Sequence, residues 1–142
     1  MTVPVPPTGP TSDDKTWGMF AWLGALIVNF VGCGLGFLAP LIIMLTKGKD
    51  SQFVRANAVE SLNVFITVAI GVAAGFAFWF ITAILGALLP LVISVLITLF
   101  GVLVWLVALG AGIYGLVIAI MGSVAANKGE QYKAPFAFRF VK

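Results

Sequence analysis

The chain has no histidine and a single cysteine, Cys33, among its 142 residues. Without histidine it lacks the commonest general base and metal ligand near neutral pH. One thiol excludes an internal disulfide and any zinc site built from several thiolates. Charge is sparse as well. Eight Lys and Arg with five Asp and Glu make up 9% of the residues, where an ordinary soluble domain carries about 25%. No nucleophile–base constellation can be assembled from what is left, so no catalytic residue, cofactor or metal is expected. What the chain has instead is apolar mass: 61% hydrophobic residues, with 16 glycines and 12 phenylalanines. Such a surface is not made for water. Soluble, disordered and collagen-like classes are excluded, and a helical bundle in lipid is expected.

The charges fall in three clusters: Asp13 to Lys15, Lys47 to Glu60, and Lys128 to Lys142. Two uncharged stretches, residues 16–46 and 61–127, lie between them. A bilayer core of roughly 30 Å takes about 20 helical residues. The second stretch is too long for one span, and Pro90 divides it by removing a backbone donor and crowding the preceding turn. Helices are expected at about 61–88 and 92–126. The first stretch holds Gly32, Cys33, Gly34 and Gly36, followed by Pro40, which reads as a turn. Helices at about 14–30 and 37–46 would flank it, the second short for a span. The rival reading is one kinked span and three in all. Four spans place every Lys and Arg on one side, the cytoplasmic side by the positive-inside rule, together with both termini.

The expected architecture is therefore an all-α integral membrane bundle of four transmembrane helices in the plasma membrane. A disordered Pro-rich tail covers residues 1–12, the membrane domain 13–126 and a basic, aromatic tail 127–142. Ser12 or Asp13 can cap the first helix, and Trp17 and Trp22 read as interfacial anchors. Asp50 or Ser51 can cap a short interfacial helix over 50–62, before span 3, with Phe53 and Asn57 on one face and Glu60 on the other. Gly129 suits a left-handed helix stop. Phe136, Phe138 and Phe140 alternate with Ala137, Arg139 and Val141 in a strand-like pattern, which places aromatics toward lipid and cations toward headgroups. A nucleic-acid partner is not expected in a chain this apolar.

Gly110-Ala111-Gly112-Ile113-Tyr114-Gly115 spells a dinucleotide fingerprint. It follows no strand and lies inside a span, so cofactor binding does not follow from it. With Gly71 and Gly75, these glycines read as small residues that let helices approach closely, within one chain or between chains. The spans hold Thr67, Thr82, Ser94, Thr98, Tyr114 and Ser123 but no Asp, Glu, Lys, Arg or His for a proton relay.

Three blocks carry a resemblance: Asp14-Lys15-Thr16-Trp17-Gly18-Met19; Pro40 through Val54 with Glu60-Ser61-Leu62-Asn63; and Ala126 through Pro135 with Arg139-Phe140. From residue 13 onward the chain resembles a small family of bacterial four-span proteins of unknown function, grouped by similarity with Tic-type import-channel subunits of the chloroplast inner envelope. The resemblance implies a four-helix membrane domain with cytoplasmic termini. Histidines frequent in that family fall where this chain has Trp22 and Asn57. The partner segments are then Phe53, Asn57, Glu60 and Asn63, and Asn127, Gly129, Glu130, Tyr132, Pro135 and Arg139. The function expected is that of a non-enzymatic accessory or scaffold subunit, with the lipid bilayer and other integral membrane proteins, or a second copy, as partners. The alternatives are a Tic-like translocation component and a small-molecule channel or transporter.

Overall fold

The computed structural model describes residues 9–32 and 34–142. The expectations for residues 1–8 of the tail and for Cys33 lie outside the described residues. Four α-helices follow one another: α1 (Ser12–Val31), α2 (Leu38–Leu45), α3 (Gln52–Leu88) and α4 (Leu91–Lys128), with a 3-10 turn at Lys47–Lys49. No strand occurs among the described residues.

Local chemistry sets the helix ends. Thr11, one residue ahead of the expected cap, starts α1 with a capping box. Its hydroxyl accepts from the Asp14 N–H, and the Asp14 carboxylate accepts from the Thr11 N–H. Ser51 caps α3. Leu89 and Pro90 part α3 from α4, and α4 stops at Gly129 in the left-handed region, φ 86°. The interfacial helix expected before span 3 is not separate. No glycine or proline interrupts residues 52–70, so it runs unbroken into α3.

The Ser51 hydroxyl and the Thr11 backbone N–H, both beside the Asp14 carboxylate, hold its pKa below the ordinary value of 3.8. A depressed carboxylate stabilises the fold above its unfolded pKa and loses that contribution as pH falls through the folded value. Acidification below about pH 4 is expected to loosen the start of α1 from α3. Melting curves of wild type and Asp14→Asn should converge there; a constant gap down to the lowest pH would contradict the linkage.

The span count differs from the expectation. Two helices, α3 with 37 residues and α4 with 38, are long and apolar enough to cross a membrane. The eight residues of α2 rise only about 12 Å, well under a bilayer core. The 20 residues of α1 include Asp13, Asp14 and Lys15 at its start. The charge map misled for a simple reason: a hairpin that returns without crossing also keeps every Lys and Arg on one side.

The α1–α2 hairpin lies along the first half of α3. Gly18 sits beside Phe53 and Ala126, Gly36 against Phe65, and Gly48 beside Arg55. Together with the start of α3, the end of α4 and the C-terminal segment, it forms a collar. The collar core gathers Trp22, Ala25, Val64, Phe65, Val68, Ile118 and Ala119, and a second cluster joins Ala21, Ile43, Val54 and Ala58. Trp22 is no interfacial anchor: it is fully buried, its indole lying over Gly122, which has no side chain to exclude it. Trp17 is partly exposed, with the Lys47 ammonium 5.2 Å from its ring centroid.

Beyond the collar the burial pattern changes. Over residues 70–112 the buried positions are Gly75, Thr82, Gly86, Gly101 and Ala108, all small and all at the α3–α4 contact. The large side chains there, among them Phe80, Ile81, Leu96, Leu99, Phe100 and Val107, point outward. A two-helix hairpin with small residues inside and Leu, Ile, Val and Phe outside is built for an apolar solvent.

Candidate interaction site

One stripe of α3 carries Glu60, Asn63 and Thr67, spaced i, i+3, i+7. Each holds the C-terminal segment. The Asn63 side chain donates to the Val141 carbonyl at 2.9 Å and accepts from the N–H groups of Phe140 and Val141 at 2.9 and 2.8 Å. Glu60 Oε1 accepts from the Ala134 N–H at 2.8 Å and lies 4.0 Å from Arg139 Nη2. The Thr67 hydroxyl accepts from the Phe138 N–H at 3.1 Å and donates to the Asn63 carbonyl at 2.7 Å. From α4 the Tyr114 hydroxyl donates to the Pro135 carbonyl. Residues 129–142 thus leave α4, run back beside it to Tyr114, turn at Pro135–Phe136 and return to Asn63. Phe136 sits at the tip with φ 61°. The strand-like alternation corresponds to no ladder, because the backbone N–H groups of Ala134, Phe138, Phe140 and Val141 are taken by α3 side chains.

A second polar set fixes α1 on α3. The Trp22 indole N–H donates to Asn57 Oδ1 at 3.1 Å, and Asn57 Nδ2 donates to the Phe53 carbonyl at 3.1 Å. The Ser61 hydroxyl donates to the Ala21 carbonyl at 2.7 Å. The two positions at which the resemblance implies histidine are therefore bonded to each other here. Among the described residues, no buried side-chain nitrogen or oxygen lacks a partner.

The remaining residues singled out in the sequence divide. Phe53 and Asn57 face the collar core. Tyr132 stacks edge-on against Trp22 at 6.0 Å. Asn127 and Glu130 are exposed, and Gly129 lies against Lys15 and Pro10. Pro135 and Arg139 belong to the clamped segment. Gly75 meets Ala108, Gly115 meets Val68, and Gly71 is nearest Ala111; Gly110 and Gly112 face open space. In the sequence Thr67 and Tyr114 read as ordinary span hydroxyls; the 60–63–67 spacing at the mouth of an apolar run was the available signal.

The glycine geometry makes a direct prediction. A Cβ at Gly75 would overlap that of Ala108, so Gly75→Leu should force α3 and α4 apart at a cost of about 1–3 kcal/mol. Gly110→Ala should be neutral. Detergent melting curves compare them, and equal losses in both would refute the assigned contact.

Beside the clamp lies an open cleft of about 280 Å³, lined by Glu60, Asn63, Tyr132, Lys133, Arg139 and Lys142. No group of three or more His, Cys, Asp or Glu that could hold a metal ion occurs among the described residues.

The profile of the magnetosome magnetite crystal formation protein family matches residues 13–141. No curated protein and no solved structure matches the chain. Similarity to Tic-type import subunits is not among the findings, and the translocation reading is left without support. The matched segment runs from the first turn of α1 to the clamped C-terminal residues, so the chain belongs to the magnetosome magnetite crystal formation protein family.

Proposed function

We propose that the protein is a non-enzymatic accessory or scaffold subunit that works by packing against other integral membrane proteins, or a second copy of itself, through the outer faces of α3 and α4. The observation that carries this reading is the uncovered hairpin. The buried positions of its internal contact are all small, and most of its large apolar side chains remain exposed to neighbours in the membrane. Family membership supports an accessory part in a membrane compartment that forms mineral. In this reading the part is organisation of the membrane, since the residues that bind and clasp do so to other protein groups. A channel gains no argument, because the buried Thr82 hydroxyl donates to the Phe78 and Trp79 carbonyls of its own helix.

The topology proposed with it has α3 and α4 crossing once each, with the collar and every Lys and Arg on the cytoplasmic side. A photo-crosslinking residue at Phe80 or Val107, both outward and exposed, tests the reading in intact cells. Discrete adducts with a membrane protein or a second copy are expected. Adducts with lipid alone at both positions, in a chain that migrates as a monomer, would overturn it. In a Cys33→Ser background and in sealed vesicles with the cytoplasmic face outward, a thiol at Gln131 should react with an impermeant maleimide directly, and one at Leu89 only after permeabilisation.

A further inference from the structure

We propose that the cleft at the C-terminal clamp binds the phosphoryl headgroup of an anionic phospholipid, with Phe136 and Phe138 dipping into the acyl boundary beside it. The inference rests only on the residence of the hairpin in a membrane, and the purified chain tests it without any partner protein.

Height along α3 carries the first part of the argument. On α3 the large side chains turn outward from Ile70 to Leu88; on α4 they do so from Leu91, and beyond Gly112 an exposed stripe of Ile113, Val117, Ile120 and Val124 continues on one face while the other is buried in the collar. The α3 stretch corresponds to about 28 Å, close to one bilayer core of about 30 Å. Placed by the apolar length of α3, the hydrocarbon boundary falls near Ile70. Asn63 lies seven residues above it, about 10 Å, in the layer where headgroup phosphates reside. Thr67, which bonds the Phe138 N–H, lies about 5 Å above it.

Charge and shape carry the second part. Lys133, Arg139 and Lys142 line the cleft with Glu60. Glu60 is already engaged by the Ala134 N–H, and Arg139 is 60% exposed at the edge of its reach. Lys133 and Lys142 make no ion pair among the described residues. Three cations against one carboxylate leave the cleft positive. Below it, Phe136 is 92% exposed and Phe138 69% exposed. Neither is left outside by a slack chain, because Tyr114 and Thr67 fix the residues next to Phe136 and the backbone of Phe138. Cations at phosphate height with bare aromatic rings below them match the cross-section of an anionic leaflet.

The test uses the full-length protein in detergent micelles with added phosphatidylglycerol or phosphatidylcholine, and native mass spectrometry of the retained lipid. Phosphatidylglycerol should be retained in preference. Lys133→Gln and Arg139→Gln should each weaken its apparent affinity about fivefold, the equivalent of about 1 kcal/mol per cation. Lys133→Gln touches no clamp bond, which separates loss of binding from loss of fold. Equal retention of the two lipids by wild type, or unchanged retention in the double variant, would overturn the proposal. So would displacement of phosphatidylglycerol by millimolar inorganic phosphate, which would assign the cleft to a free anion.

Discussion

A leucine in place of Gly122 is expected to dismantle the collar while leaving the distal hairpin helical. The indole of Trp22 rests on the Gly122 backbone, where even a Cβ would overlap its ring carbons. The ring has no room to retreat. It is fully buried, its N–H is bonded to Asn57 and its ring packs at a near-right angle to that of Tyr132. Displacing it would open the α1–α4 contact and strand the Asn57 oxygen. A cost of about 3 kcal/mol or more is expected, since overpacking is joined by loss of a buried aromatic. Trp22→Phe should cost less, about 1–3 kcal/mol for the unpaired amide. Thermal melting followed by circular dichroism, with limited proteolysis of α1, would show it; a Gly122→Leu protein as stable as the parent would contradict the packing described.

Asn63→Leu is expected to release the C-terminal segment. One side chain satisfies three backbone groups of Phe140 and Val141, and leucine of similar volume supplies none of those bonds. At about 1 kcal/mol per bond the loss is about 3 kcal/mol, which should speed amide exchange at Phe140 and Val141 about a hundredfold. Thr67→Val removes one bond to the segment and should have a smaller effect, centred on Phe138. Carboxypeptidase digestion offers a second readout, with the Asn63 variant trimmed rapidly and wild type resistant. Unchanged exchange would mean that the segment is held by its apolar contacts alone.

The sequence revealed the helix ends because their causes are local. Pro90, Gly129 and the glycines after Val31 act on their own neighbours. It did not reveal how far α1 and α2 travel, because a run of apolar residues reports the solvent of a helix but not the depth it reaches. Trp22 near a charged helix start looked like an interfacial anchor. Its pocket is made by Gly122 and Asn57, distant in sequence and invisible to a local pattern. The alternating phenylalanines suggested a strand for the same reason. What satisfies that backbone is a stripe of polar side chains more than 70 residues earlier. Asn63 and Glu60 were singled out through the resemblance, whereas the part they play depends on Thr67 and Tyr114.

The unbroken course of α3 has a mechanical consequence. Helices that cross membranes meet a thinner or thicker bilayer by changing tilt. In α3 the embedded half and the collar half share one 37-residue rod without a proline between Gln52 and Leu88. A tilt of about ten degrees in the lower half carries the outer end, some 27 Å beyond, sideways by about 5 Å. The collar, clasped to that rod by Asn57, Ser61 and Asn63, must lean with it. Bilayer thickness and the attitude of the water-facing surface are then a single variable, with α3 as the lever between them.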